Sequence, residues 1–446
     1  MSKSVKQFVC QECGAIYSKW SGRCLNCGNW DTLVETLMQS SGSGKTVVSA
    51  KALTTQSLSK IETAHHNRLK TGSSEVDAVL GGGLVPGSLI LLSGDPGIGK
   101  STLVLQMAAA ISSQVKVLYV SGEESAGQIK LRADRLGLGA TNFDFVATTD
   151  IDAVLATVQT GGYQLVIVDS IQTMSSSQLA SAAGTVSQIT NNANAIMQAA
   201  KSTDTSFIVI GHVTKEGNVA GPKLLEHLVD TVLYLEGERF GLLKILRAVK
   251  NRFGSTNEVG ILEMTERGLE SVGSPSKLLL AERQELPGSM IFAAIEGTRP
   301  LLVEVQALVS PSVFGYPKRA ADGADVNRLS LLAAVMTKHG GVNLSSSDIY
   351  VNIVGGLNAN EPAIDLAIIL AIASAYKNIV APKEMVVFGE VGLSGELRSV
   401  TMSRERIREA TRLGFDMALV PSSQQEKSSH GCKTIRDAIA QLSKLK

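Results

Sequence analysis

Apolar positions fall into two rhythms along this chain. From 68 to about 270, apolar runs of strand length at 88–93, 115–120, 165–168 and 207–210 alternate with helical stretches such as 103–111. That alternation predicts a parallel sheet, because parallel neighbours require a crossover connection and a helix is the usual one. After Gly273-Ser274-Pro275 the order changes to strand-like 301–309 and 349–354, an Ala- and Ile-rich helix over about 362–376, a strand at 385–388 and a helix over about 404–413. This predicts a separate α+β unit over 271–446. The first thirty residues are punctuated by Cys and Gly, and 31–64 turns to Ser, Thr, Gly and Lys with little apolar periodicity. The expected organisation is therefore a small module at 1–30, a linker at 31–64, an α/β domain at 65–270 and the α+β domain.

At 446 residues the chain exceeds one compact core, in keeping with that division. Lys plus Arg number 42 against 41 Asp plus Glu, so net charge neither demands nor excludes a polyanionic partner, and any such contact must come from local clusters. No apolar run approaches the roughly eighteen residues of a membrane span, and 1–9 lacks a signal-peptide core. A cytoplasmic protein without a membrane partner is expected.

Four of the five cysteines lie in the first thirty residues, as Cys10-x2-Cys13 and Cys24-x2-Cys27, each pair followed by a glycine, Gly14 and Gly28. Two intervening residues let both thiolates of a pair reach one ion, and four thiolates suit tetrahedral Zn²⁺, with iron the competitor. All four ligands come from protein, so the site is expected to be structural. Tyr17, Trp20 and Trp30 are expected to provide aromatic cover for this small module, with stacking on nucleic acid as the alternative.

The run 88–93 leads into Gly94-Asp95-Pro96-Gly97-Ile98-Gly99-Lys100-Ser101-Thr102 and then an apolar helix, which is a phosphate loop in its strand, loop, helix setting. Backbone N–H groups freed by glycine cradle the phosphates of ATP, Lys100 neutralises their charge, and Ser101 offers a hydroxyl to Mg²⁺. A look-alike at Ser41-Gly42-Ser43-Gly44-Lys45-Thr46 has Gln39 where the first glycine should stand and no strand before it. Asp169 closes an apolar strand and is the expected second Mg²⁺ contact. Glu123 and Glu124 follow another strand; Glu123 is the candidate for polarising the attacking water, and a solvated helix start is the alternative.

With these residues in place, the chain resembles known proteins. Thr71-Gly72-Ser73-Ser74 and Leu80-Gly81-Gly82-Gly83-Leu84, with the phosphate loop, resemble the RecA, KaiC and DnaB-type core. The four-cysteine module, Val168-Asp169-Ser170-Ile171-Gln172-Thr173, Gly211-His212-Val213-Thr214-Lys215-Glu216-Gly217 and Lys250-Asn251-Arg252-Phe253-Gly254 make it look like the RadA/Sms family over essentially its whole length. The resemblance implies a six-membered ring of identical subunits in the bacterial cytoplasm, at the nucleoid. It further implies ATP hydrolysis at subunit boundaries with Lys250 and Arg252 reaching the neighbour's nucleotide. Translocation on single-stranded DNA, and branch migration of branched intermediates made by a RecA-type strand-exchange protein, would follow. A solvated basic strand end is the other reading of Lys250 and Arg252. His212 would act as a sensor between nucleotide and DNA, or simply hydrogen-bond at a strand end.

From about 300 onward the chain is similar to the peptidase domain of Lon proteases, through Val351-Asn352-Ile353-Val354-Gly355-Gly356, Glu361-Pro362-Ala363-Ile364-Asp365 and Gly389-Glu390-Val391-Gly392-Leu393-Ser394-Gly395. The position of Lon's serine carries Ala363 and that of its lysine Arg404. A methyl group cannot attack a carbonyl and a guanidinium stays protonated, so peptidase activity is not expected. Lys318, Arg319 and Arg328, and the helix bearing Arg404, Arg406, Arg408 and Arg412, are candidates for lining a DNA channel, although interleaved Glu405 and Glu409 equally suit a solvated face. An ATP-dependent protease, a KaiC-like kinase, for which a second phosphate loop would be usual, and a zinc-dependent DNA-binding regulator switched by ATP are the rival functions.

Overall fold

A computed structural model describes residues 4–10, 16–26, 28, 30, 32–39, 68–139, 142–212, 225–237, 243–313, 315–356, 358–359 and 361–444. The chain forms two compact units, one of 1–236, 245–256 and 262–271, the other of 237–244, 257–261 and 272–446.

Strands β1 (Ser4–Cys10), β2 (Ile16–Tyr17) and β3 (Leu33–Gln39) form an antiparallel sheet in the order β2-β1-β3. β3 lies in the stretch whose composition suggested a linker; it pairs with β1 over its whole length, from Ser4↔Gln39 to Cys10↔Leu33. Among the described residues, the apolar centre of this ribbon is small, consisting of Cys10, Cys24 and Leu33 with Phe8 and Tyr17 against them. The expectation that Trp20 and Trp30 cover it is corrected: they are 58% and 70% exposed.

The central sheet contains β4 (Leu89–Gly94), β5 (Val117–Ser121), β6 (Asp144–Ala147), β7 (Leu165–Asp169), β8 (Ser206–Ile210), β9 (Thr231–Glu236), β10 (Leu243–Asn251), β11 (Val259–Thr265) and β12 (Gly268–Ser271), ordered β12-β11-β10-β9-β4-β8-β7-β5-β6. The strands from β9 to β6 run parallel, whereas β10 pairs antiparallel with β9. Every residue of β4, β5, β7 and β8 is buried, as expected when both faces of a parallel sheet are covered. Alternation along β4 sends Ile90 and Leu92 into one apolar cluster and Leu89 and Leu91 into another. Helices α1 (Ser74–Val79), α2 (Lys100–Ile111), α3 (Ala126–Arg135), α4 (Ile151–Gly161) and α5 (Val186–Thr203) supply the cover. The 3.6-residue period expected over 103–111 extends back to Lys100, where the phosphate loop becomes helix.

The second unit carries a seven-stranded mixed sheet. After α6 (Pro275–Leu279) come β13 (Ser289–Glu296), β14 (Arg299–Pro311), β15 (Arg319–Asp322), α7 (Val326–Val335), β16 (Ser347–Ile353), α8 (Asp365–Lys377), β17 (Met385–Val387), the hairpin β18 (Glu390–Val391) and β19 (Leu397–Arg398), α9 (Ser403–Arg412), β20 (Met417–Pro421), β21 (Ser429–Cys432) and α10 (Ile435–Lys444). Its sheet order is β15-β16-β14-β13-β17-β20-β21. The first ten residues of α8 are buried without interruption, which explains why that helix reads as apolar all round.

Two of the arginines offered as a channel lining, Arg406 and Arg328, are corrected here. Arg406 is wholly buried; it donates to Glu361, to the carbonyls of Ala293 and Thr401, and lies over the rings of Phe292 and Phe388. Arg328 is likewise bound to the buried carboxylate of Asp365 and to the Val391 carbonyl. A buried carboxylate without such a partner would be costly, so Arg328, a third exposed, is tied to Asp365, and Arg406 is committed to the core. Both acids flank Ala363, itself buried, whereas the Arg404 side chain is 84% exposed.

Candidate nucleotide site

The phosphate loop is shaped by what its glycines permit. Gly94 sits at φ 146° and a Cβ there would lie 2.2 Å from the Leu235 carbonyl oxygen, so no other residue fits. Asp95, Pro96 and Gly97 form an exposed tip, and Ile98 is buried in the core beneath it. Gly99, at φ 117°, starts α2, which opens with Lys100, Ser101 and Thr102. Lys100 is buried, and its Nζ donates to the carbonyls of Gly94 at 2.8 Å and Asp95 at 2.9 Å. Burial depresses its pKa, while the charges of Asp169, Asp95 and Glu123 act the other way. The loop thus stores a cation against its own backbone at the start of a helix, where N–H groups and dipole favour an anion.

Asp169 ends β7 two strands away from β4 and is buried. Its carboxylate accepts from the Tyr119 hydroxyl at 2.9 Å, and the Ser101 hydroxyl lies close enough to influence it. Burial raises its pKa, the hydroxyls of Tyr119 and Ser101 oppose that rise, and the nearby charge of Glu123 adds to it. Ser101 and Asp169 are therefore adjacent, as a hydroxyl and a carboxylate that share one hard cation should be.

Glu123 and Glu124 part company. Glu123 accepts from Ser170 Oγ at 2.7 Å and lies 3.5 Å from His212 Nε2, next to the end of β7. Glu124 is paired with Arg132 on α3. Both glutamates take backbone positions set by one hydroxyl, since Ser121 Oγ accepts from the N–H of each.

Lys250 and Arg252 also differ. Lys250 Nζ donates to the carbonyls of Glu226 at 2.7 Å and Val229 at 2.8 Å in its own subunit. The Arg252 side chain is 56% exposed, with Asp230 3.7 Å away. A register shift between Ala248 and Lys250 bends β10 just before this turn. Arg68 ties the turn down, donating to the Phe253 carbonyl at 2.7 Å and to that of Leu80 at 2.8 Å.

In the ribbon, Cys10 and Cys24 are buried, with Cys10 Sγ 3.2 Å from Thr32 Oγ1 and Cys24 Sγ 3.3 Å from the Tyr17 hydroxyl. Cys13 and Cys27 lie outside the described residues, as do 213–217 of the segment after His212. Two buried sulfurs in so small an apolar centre fit a module whose folding energy comes from a metal, Zn²⁺ being the ion such a donor set prefers.

Sequence reasoning missed Tyr119, Ser170 and Arg68. Tyr119 sits mid-strand in an apolar run and reads as core, and Arg68 marks only the start of the domain. Ser170, next to Asp169, was the one findable from adjacency.

A phosphate loop ending the central strand of a parallel sheet, with a carboxylate at the tip of a nearby strand, defines a RecA-like P-loop ATPase core. A family model described as an AAA domain matches 55–218, one described as a rubredoxin metal binding domain matches 8–35, and one described as subunit ChlI of Mg-chelatase matches 311–424. The chain is 46% identical over 432 residues to DNA repair protein RadA of Pseudomonas aeruginosa, covering 96% of this chain and 95% of that one. It is 47% identical over 429 residues to DNA repair protein RadA of Bacillus subtilis, covering 95% and 94%. The chain belongs to the RadA family. It is an ATP hydrolase with an amino-terminal zinc ribbon and a Lon-like carboxy-terminal domain.

Proposed function

We propose that this chain is a DNA-dependent ATPase of DNA repair, working as a six-membered ring that translocates on single-stranded DNA and drives branch migration of branched intermediates made by a RecA-type strand-exchange protein. The observation that carries the reading is the gathering of Lys100, Ser101, Asp169 and Glu123 around the phosphate loop and the end of β7, together with an exposed arginine just after β10. In this reading Gly94 to Thr102 hold the triphosphate of ATP, Ser101 and Asp169 hold Mg²⁺, and Glu123 orients the attacking water. The ion neutralises phosphate charge. Arg252 of one subunit completes the neighbour's site, and Lys250 joins it on release from its carbonyls. His212, within reach of Glu123, would report DNA occupancy to the site. Cys10, Cys13, Cys24 and Cys27 would hold Zn²⁺. The motor would act in the cytoplasm, at the nucleoid.

The buried methyl of Ala363 supports a Lon-like domain used as a platform and not as a peptidase. The test is ATP turnover by purified protein with and without single-stranded DNA, at several protein concentrations, alongside unwinding of a forked duplex. Stimulation by DNA, turnover that rises cooperatively with concentration and strand separation are expected; turnover per chain indifferent to both variables would overturn the reading.

A further inference from the structure

Tyr119 lies in the middle of β5 and is wholly buried, with the rings of Phe143 and Phe145 at centroid distances of 6.0 and 6.2 Å. A phenylalanine would pack there as well, and burying a hydroxyl without a partner costs stability. The partner explains the hydroxyl. β5 and β7 are adjacent in the register Tyr119↔Ile167 and Ser121↔Asp169, so Asp169 is the diagonal, same-face neighbour of Tyr119. The phenol spans that diagonal and donates to Asp169 Oδ2 at 2.9 Å.

The acid it holds has little freedom left. An ionised carboxylate accepts only, and Asp169 accepts from a rigid aromatic arm on one strand while Ser101 stands near it at the start of α2. A tyrosine has two side-chain torsions and here both are locked by packing, so its hydroxyl fixes direction more firmly than a serine or a water would.

We propose that Tyr119 is a positioning residue of the nucleotide site: its hydroxyl fixes the orientation of the Asp169 carboxylate and thereby strengthens the binding of Mg²⁺ with ATP. This deepens the assignment of Asp169 to the metal and rests on it. Tyr119 touches neither nucleotide nor ion, and acts through Asp169 alone.

The test is a Mg²⁺ titration of the binding of a fluorescent ATP analogue to the full chain, for the parent protein, Tyr119→Phe, Asp169→Asn and the double variant. Tyr119→Phe is expected to raise the half-saturating Mg²⁺ concentration about tenfold, the size of effect seen when a partner of a metal ligand is removed. Binding in EDTA should stay as in the parent, because the ring and its packing remain, while the melting temperature falls modestly for want of a donor to the buried carboxylate. In the Asp169→Asn background the same change should add nothing, since the group it orients is gone. A half-saturating concentration within about twofold of the parent overturns the proposal, as does an equal shift in the Asp169→Asn background. A lowered melting temperature without the Mg²⁺ shift would make the hydroxyl a packing feature and overturn it too. Should Asp169→Asn alone leave the Mg²⁺ dependence unaltered, the metal role of Asp169 fails, and this inference with it.

Discussion

Ser170 Oγ donates to the Glu123 carboxylate at 2.7 Å, joining the residue after Asp169 to the candidate for activating water. Glu123→Gln should keep nucleotide binding and lower turnover by about 10²- to 10⁴-fold, the usual worth of a positioned base. Glu124→Gln, which loses a partly exposed pair with Arg132, should stay within about threefold of the parent, because such pairs contribute little and do not touch the cleft. Steady-state turnover of the two proteins decides; equal losses would refute the division between them.

Lys250 and Arg252 should separate in the same way. Arg252→Ala is expected to keep assembly and nucleotide binding yet lower hydrolysis by about 10³-fold or more, as loss of an arginine supplied from a neighbour does. Lys250→Ala should in addition cost about 1–3 kcal/mol of stability by leaving the carbonyls of Glu226 and Val229 without their donor. Melting curves and turnover, read together, check this; an unchanged melt for Lys250→Ala would refute it.

Arg406→Met leaves the partly buried carboxylate of Glu361 without its guanidinium and should destabilise the carboxy-terminal unit by about 3–5 kcal/mol. Arg404→Met, two residues earlier on α9 and facing solvent, should change stability by less than about 0.5 kcal/mol. Urea unfolding compares them directly, and similar midpoints would contradict the assignment of Arg406 to the core.

Burial first, and the charge of Asp437 second, push the Cys432 thiol up to about 11 from its ordinary 9.0. A thiol whose folded pKa lies above the unfolded value contributes stability that is complete below pH 9.0 and lost as the pH rises towards 11. Native protein at pH 8 should therefore leave Cys432 unalkylated by iodoacetamide, while the same peptide labels fully in denaturant. Peptide mapping that found native labelling at the denatured rate would refute its burial.

What could be read from the chain depended on how local the cause was. The phosphate loop was legible because glycine spacing, a lysine and a flanking strand and helix are all consecutive, and the strands expected at 88–93, 115–120, 165–168 and 207–210 are β4, β5, β7 and β8 within a residue or two. Asp169 was legible as a carboxylate ending an apolar run. Tyr119 was not, since an inward aromatic on a strand is ordinary core until its diagonal neighbour is known. Arg406 misled for a related reason: it shares the buried face of α9 with Ile407 and Ala410, but in sequence it stands among four arginines. Lys250 and Arg252 lie two apart, and only the bend in β10 and the carbonyls of another segment send them to different surroundings. Trp20 and Trp30 were assigned to the inside by their chemistry alone, whereas among the described residues the ribbon's centre holds Phe8, Tyr17 and Leu33 with Cys10 and Cys24.

The turn that carries Arg252 is closed by Gly254, whose Cα lies 3.3 Å from where a side chain on Gly81 would begin, and the reverse holds for a side chain on Gly254. Neither position has room to accept a methyl group unless the other backbone retreats. Two glycines 173 positions apart therefore share one narrow clearance. A side chain at either has to be met by movement of the other's backbone, so the last residue of the pentapeptide is constrained by clearance while its third, Arg252, presents charge.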